Sequence, residues 1–381
     1  MASFRFKNLD TGKLLRSTRP AHRRSEIKIP WLIWLYSRIF FYGSSFVLAK
    51  ILDLNFSLAL FRYWDAGWYL SIINDGYMNE TISTGSQVGK ANWAFFPVMP
   101  LLVRALSTAI KVDVLWIAYF LSNISFLIGL YFLYKYLLRE YSARVARNTL
   151  IFIAFSPVNV YLTTLYTESL FFALLTAMIF YAKEHKWIVA GIIGAFLTGT
   201  RNTGIFMIAI YVFEFLRSSD LRSSAAQWRR FLSGLLIFPL GLVAFMIHLK
   251  IVADDPLAFY HIQAEWGGPQ VSHLAFAFGL VSQPSAFQVF ILFVLACAIL
   301  SCAYLLWRKR FIDFVVLFPI TFISLDALRI SYRFYFALYP IYLVVAIFTQ
   351  KREWLVRVII AIEALALVKA VQLWITGAGP T

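Results

Sequence analysis

Phe61-Arg-Tyr-Trp-Asp-Ala-Gly-Trp-Tyr-Leu-Ser-Ile-Ile-Asn-Asp-Gly-Tyr77 stands between two strongly apolar regions. It holds too many polar groups to span a bilayer and too many aromatic rings for a solvated loop. Trp64, Trp68 and Ile72 recur at four-residue spacing, which predicts a short amphipathic helix over 66–75 lying along a membrane surface. Asp65 falls at its start and Gly76 just past its end, as helix punctuation requires. Asp65 therefore has two compatible readings. It can cap this helix, or it can take a proton from a hydroxyl as a general base.

The rest of the chain sets the environment of that stretch. Hydrophobic residues make up 61% and charged residues 14% of the 381, with a mean hydropathy of +0.72. Soluble domains carry about 25% charged residues, so the composition indicates a polytopic membrane protein. The formal charge of +16 is distributed as topology signals are. Arg5, Lys7, Lys13, Arg16, Arg19, Arg23, Arg24 and Lys28 form a basic arm over 1–28, and later clusters fall between apolar runs. That pattern places the arm near anionic headgroups on the cytoplasmic side and argues against a nucleic-acid partner. No cleavable signal peptide is expected, because the first apolar run begins near Ile29 behind the basic arm. Cys297 and Cys302 lie in one apolar run off a common helical face, which argues against a disulfide or metal role.

Taken in order, the apolar runs predict an all-α bundle of about eleven transmembrane helices. The first crossing, Pro30 to Ala49, contains Arg38, read as a side chain snorkelling to the cytoplasmic face. Residues 50–112 form a long first outer loop with amphipathic helices. Val114 to Tyr134 crosses inward. Asn148 to Ala182 is expected to be a hairpin bent between Ser156-Pro157 and Glu168. A second hairpin, Trp187 to Phe213, is interrupted by Thr200-Arg-Asn-Thr-Gly204, so its arms are short or broken. Crossings follow at 231–250, 287–307, 311–325, 334–350 and 354–375. Every strong Lys/Arg cluster then falls on one side, with the N-terminus inside. The single transmembrane domain covers 29–376, and 377–381 is a short outer tail. No internal repeat is visible.

In this topology Asp65, Glu168, Arg201, Asp254, Asp255, His261, Glu265, Asp326, Arg329 and Arg333 all reach the outer side. Charges near the membrane are costly unless paired or hydrated, so they point to a polar cavity open outward. Glu168 is read either as a capping acid for the next helix or as a group that orients substrate. Arg201 is read as an ion-pair partner of Glu168 or Asp326, or as a phosphate clamp. Arg329 and Arg333 sit four apart, suited to gripping one phosphate or to a snorkelling pair at a helix end. His261 reads as a satisfied polar residue, and the histidine spacing supports no metal site.

These residues carry a resemblance. Trp64-Asp65-Ala-Gly-Trp68-Tyr69 with Gly76-Tyr77, Phe95-Phe-Pro-Val-Met-Pro-Leu101 and Ser156-Pro157 with Tyr166-Thr-Glu-Ser-Leu-Phe171 come first. Thr200-Arg201 with Gly204, Asp255-Pro-Leu-Ala-Phe with Gln263 and Trp266, and Tyr332-Arg333-Phe-Tyr with Pro340 follow. In this order, over roughly residues 60–340, the chain resembles the polyprenyl-phosphate-sugar-dependent (GT-C) glycosyltransferases, in particular the GPI mannosyltransferase II family and its compact bacterial relatives. Tyr63 stands where that family usually has an Arg before the Trp-Asp pair.

The resemblance implies an inverting hexosyltransferase, with mannose as the expected sugar, carried on a polyprenyl phosphate. Asp65 would be the catalytic base, and Arg201 with Arg333 would stabilise the departing lipid phosphate. The candidate site is Asp65 as catalytic group, with Trp64, Trp68, Glu168, Arg201, His261, Trp266, Arg329 and Arg333 as substrate-binding residues. No cofactor is required by the sequence, and a divalent metal is left open. The acceptor, a lipid, glycan or protein hydroxyl, is unnamed. The expected location is a bacterial inner membrane with the site facing the periplasm or exterior. A transporter or flippase for a lipid-linked sugar is the alternative; such proteins commonly show internal symmetry, and none is visible. A structural multipass subunit would leave the outer charges unexplained.

Overall fold

The computed structural model describes residues 20–218, 224–266, 286–327 and 338–378. About 78% of it is helical, with no strand among the described residues. The chain enters through α1 (Pro20–Ile51), then lays down α2 (Asp65–Asn74) and α3 (Val98–Ile110) before α4 (Val114–Glu140). The Asp113 carboxylate starts α4 by accepting the Leu115 amide at 2.9 Å, the expected use of an acidic N-cap. α5 (Ala143–Phe155), the single turn α6 (Asn159–Thr163) and α7 (Glu168–Lys183) form the first hairpin, bent where Ser156-Pro157 and Glu168 predict.

The second hairpin is broken as its short arms require. α8 (Trp187–Thr198) ends before Arg201, a 3₁₀ segment covers Asn202–Met207, and α9 (Ile208–Arg217) continues. Then come α10 (Ala225–Ile237), α11 (Leu240–Ala253) and the single turns α12 (Ala258–His261) and α13 (Gln263–Trp266). α14 (Ala286–Trp307), α15 (Phe311–Ala327), α16 (Pro340–Thr349) and α17 (Glu353–Ile375) complete the described chain. α10 and α8 approach closely because Gly234 lacks a side chain: a Cβ there would lie 2.4 Å from the Trp187 carbonyl oxygen.

Four stretches are long and apolar enough to cross a membrane: Lys28–Ile51, Val114–Glu140, Ala225–Ala253 and Glu353–Ile375. Five further apolar helices among the described residues are shorter, so four of the expected crossings are matched by full-length stretches and the count of about eleven is not established by the rest. Trp116, Phe120, Leu236, Ile251, Ile362 and Leu365 are exposed on the long stretches, as side chains that face lipid would be.

The basic clusters converge on one end of the bundle. Glu140 receives Lys183 at 2.6 Å and Arg310 at 3.0 Å, Arg139 pairs with Glu184 at 2.5 Å, and Arg144 reaches Glu353 at 3.7 Å. Lys183 closes α7, whereas Glu168 opens it, which sets the two residues about 22 Å apart along the helix axis.

Arg38 departs from its expected role. Rather than snorkelling, it is 5% exposed. Its guanidinium donates to Asn123 Oδ1 at 3.0 Å, Thr163 Oγ1 at 2.6 Å and Asn159 Oδ1, and it lies over the Phe126 ring. Neutral side-chain oxygens in α4 and α6 replace headgroups as its solvent. A planar fork of donors is suited to such multiple acceptance, and here it ties α1 and α4 to the turn that precedes Tyr166 and Glu168.

Candidate active site

The backbone at Trp64 is the first unusual feature of the site. Trp64 has φ 62° and ψ −128° and serves as the N-cap of α2, so Asp65 is the first helical residue. This corrects the expectation that Asp65 caps the helix. Its carboxylate still sits in the first turn, where the exposed amides and the helix dipole favour negative charge. A positive φ at a bulky residue costs on the order of 1–3 kcal/mol and persists only where the surroundings enforce it.

One hydroxyl does the enforcing. Tyr166 Oη accepts from the Asp65 amide at 3.1 Å and donates to the Tyr63 carbonyl at 3.2 Å, spanning Trp64 from both sides. Tyr166 is buried against Tyr69, Tyr161 and Trp374. The hairpin turn between α5 and α7 thus grips the start of α2.

Burial of α2 follows a face different from the one its tryptophans suggested. Ala66, Tyr69, Ile72 and Ile73 are buried, Trp68 is half-buried and stacked on Phe95, and Trp64 is exposed. Tyr69 takes the central place because its ring packs on Phe95 and Tyr166 while its hydroxyl shares a 3.3 Å hydrogen bond with Thr167. Past the helix, Gly76 adopts φ +89° and its amide returns to the Ile72 carbonyl at 3.1 Å. This is the left-handed stop that glycine permits. Buried Asn92 then bonds Ser71, the Gly76 carbonyl and the Met78 amide, folding the 76–95 loop back against α2.

From Thr167 the network continues to charge. Arg201 Nη1 donates to Thr167 Oγ1 at 3.5 Å and pairs with Glu168 Oε1 at 2.8 Å. Glu168 is the first residue of α7 behind the N-cap Thr167, so it is paired across to Arg201 rather than capping. Arg201 occupies the break between α8 and the 3₁₀ segment, and the Gly199 carbonyl in the same break accepts the Val98 amide at 3.2 Å. Burial first, and then the Glu168 charge, push the Tyr69 hydroxyl well above its ordinary value; Arg201 opposes the shift and Asp65 adds to it. Asp65, Glu168 and Arg201 therefore lie within electrostatic reach of one phenol.

Glu168 and Arg201 stand at a narrow, open cleft lined also by Phe171, Thr203, Met207, Val316, Pro319, Ile320 and Leu338. A charged pair at one side of an otherwise apolar cleft is suited to an amphiphile with an anionic head.

The remaining candidates divide. His261 is exposed and donates from Nδ1 to Asp255 Oδ2 at 2.6 Å, a bond that holds the Asp255 carboxyl below its ordinary range. Glu265 lies against Gly89 of the 76–95 loop. Arg329 and Arg333 fall outside the described residues, as do the side chains of Trp266 and Asp326. Among the described residues no three His, Cys, Asp or Glu side chains gather as a metal-binding group. Thr167 and Tyr69 were not singled out in the sequence; their hydroxyls matter through partners about a hundred residues away.

No family model and no curated protein matches the chain. Among solved structures it is similar to the archaeal oligosaccharyltransferase AglB from Archaeoglobus fulgidus, solved with an inhibitory peptide and a dolichol-phosphate. The identity is 12% and the TM-score 0.46, over 95% of this chain and 57% of that one. It is similar also to an Archaeoglobus fulgidus oligosaccharyltransferase solved with Zn and sulfate, at 15% identity and TM-score 0.43, over 93% of this chain and 54% of that one. The chain spans a little over half the length of these neighbours.

Proposed function

We propose that the chain is an inverting membrane glycosyltransferase that moves a hexose, mannose first among candidates, from a polyprenyl phosphate to a hydroxyl acceptor at the outer face of a bacterial inner membrane. The observation that carries this reading is the connected set Asp65–Tyr166–Tyr69–Thr167–Arg201. It ties the backbone of Asp65, through Tyr166, Tyr69 and Thr167, to Arg201, whose guanidinium stands at the edge of an apolar cleft. The resemblance to the GPI mannosyltransferase II family assigns the same two residues to base and phosphate.

In the proposed step the acceptor oxygen forms a bond to the anomeric carbon while the bond from that carbon to the phosphate oxygen breaks. Asp65 takes the acceptor proton. The electron pair of the broken bond stays on the polyprenyl phosphate, whose added charge Arg201 stabilises. One base and one stabilised leaving group suffice for a single displacement. A hydrolase of the two-carboxylate kind would instead need a matched acid and base about the glycosidic bond.

The test is transfer in membranes supplied with radiolabelled polyprenyl-phosphate mannose. Asp65→Asn, expressed at native level, should lose at least about 100-fold in rate, the usual worth of a general base. Wild-type transfer by that variant would remove the assignment.

A further inference from the structure

Asp313 is a carboxyl group buried to 1% exposure, three residues into α15, and the proposed reaction does not use it. Three tyrosine hydroxyls donate to it. Tyr136 reaches Oδ1 at 2.8 Å, Tyr339 reaches the same oxygen at 2.7 Å, and Tyr141 reaches Oδ2 at 2.5 Å. Tyr136 belongs to α4, Tyr141 follows its C-terminus, and Tyr339 is the N-cap of α16. One side chain thus joins three separate parts of the chain. Burying a carboxyl is expensive unless its acceptor sites are filled, and both oxygens are filled here.

The location of this knot gives it a consequence. Asp313, Val316 and Ile320 fall at i, i+3 and i+7, on one face of α15. Val316, Pro319 and Ile320 form one wall of the cleft, and Leu338, adjacent to Tyr339, belongs to the same wall. Pro319 has no amide to return to the Val315 carbonyl, so α15 loses a backbone bond within the two turns above the knot. Glu168 and Arg201 line the same cleft from α7 and the break before the 3₁₀ segment. The lower half of the apolar wall is therefore fixed to α4 and α16 through Asp313, below the proline.

We infer that Asp313 is a positioning residue: through Tyr136, Tyr141 and Tyr339 it sets the separation between the apolar wall of the cleft and the Glu168–Arg201 pair, and thereby the fit of the donor's lipid portion. The second half of this statement rests on the donor reading proposed above. Asp313→Asn keeps the shape but replaces one acceptor oxygen with a donor, so three hydroxyls cannot all be accepted. Tyr339→Phe removes one hydroxyl and keeps its ring, a milder change that serves if the first variant folds poorly.

The experiment has two readouts on the full chain in nanodiscs. The first needs no donor. With Cys297 and Cys302 changed to Ala, Thr203→Cys and Ile320→Cys are introduced in the cleft lining, and bismaleimides of graded length report their separation. Asp313→Asn and Tyr339→Phe should shift the preferred cross-linker length. The second readout is kinetic, on the native cysteines: Asp313→Asn should raise the KM for polyprenyl-phosphate mannose about tenfold, the worth of one lost buried hydrogen bond, with kcat within twofold. Unchanged cross-linking and unchanged KM in both variants overturn the inference. Shifted cross-linking in a chain that uses no polyprenyl-phosphate donor supports the positioning role and overturns the donor reading instead.

Discussion

Tyr166→Phe isolates the hydroxyl that holds Trp64 and Asp65 in place. The ring contacts with Tyr69, Tyr161 and Trp374 survive the substitution. What is lost is one hydrogen bond on each side of Trp64, at 3.1 and 3.2 Å. Two such bonds contribute about 1–3 kcal/mol net, comparable to the on-the-order-of 1–3 kcal/mol of strain at Trp64. Without them the backbone can relax, and the Asp65 carboxylate leaves its position at the head of α2. If that loss falls on the transition state, each 1.36 kcal/mol removes a factor of about ten, so kcat should drop about 10- to 100-fold. Folding should change little, because the packing is intact. The assay is transfer from radiolabelled polyprenyl-phosphate mannose, with Tyr77→Phe as control. That change removes a hydroxyl of the 76–95 loop, 2.6 Å from the Phe95 carbonyl, and leaves the Tyr166 bonds in place. Equal activities for the two variants would refute the claim that Tyr166 positions the catalytic carboxylate.

Three further outcomes test other parts of the structure. Glu168→Gln should raise the affinity of Arg201 for a lipid monophosphate, measured by quenching of intrinsic tryptophan fluorescence on titration with polyprenyl phosphate, because a carboxylate no longer competes at 2.8 Å. Unchanged affinity would remove Arg201 from phosphate binding. Arg38→Ala should lower stability by about 2–4 kcal/mol, since amide and hydroxyl acceptors in α4 and α6 are left without their donor; thermal unfolding in detergent is the measurement. The Asp255 carboxyl, held low by His261, contributes stability that is present above the ordinary aspartate value near 3.9 and is lost as pH falls through the lowered value. In His261→Ala its titration, followed by infrared spectroscopy with isotope-labelled aspartate, should move upward.

How far the sequence revealed these arrangements depended on the kind of residue. Asp65, Glu168 and Arg201 stood out because charge in an apolar chain needs a reason, and the structure joins the last two directly while Tyr69 senses all three. The hairpin bend at Ser156-Pro157 and the break around Arg201 were legible from Pro, Gly and segment length. The backbone of Trp64 was not, because nothing local in Tyr-Trp-Asp announces a positive φ; its cause is a hydroxyl about a hundred residues away. Asp313 passed as one polar residue in an apolar run, since the tyrosines that satisfy it look like interfacial belt residues until folding brings them together. Arg38 was misplaced for a similar reason. Snorkelling is the solution available to an isolated helix, whereas here Asn123, Asn159 and Thr163 supply the acceptors from other helices.

The structure shows the ion-pair reading of Arg201, and on the proposed function the phosphate reading would build on the same pair. A half-buried guanidinium facing an apolar cleft would be costly alone, and the buried Glu168 carboxylate at 2% exposure more so. Pairing at 2.8 Å offsets both costs, with Thr167 adding a neutral acceptor that links the pair to Tyr69. On the proposed function, an incoming phosphate would share the guanidinium with Glu168, so its attraction to Arg201 would be moderated while its placement would be set by a pre-oriented fork. That balance suits a group that must hold a lipid phosphate more strongly as charge develops on it than before. The ion pair holds Arg201 in position, and the growing negative charge draws on it. On this argument Glu168 acts by restraining binding in the ground state.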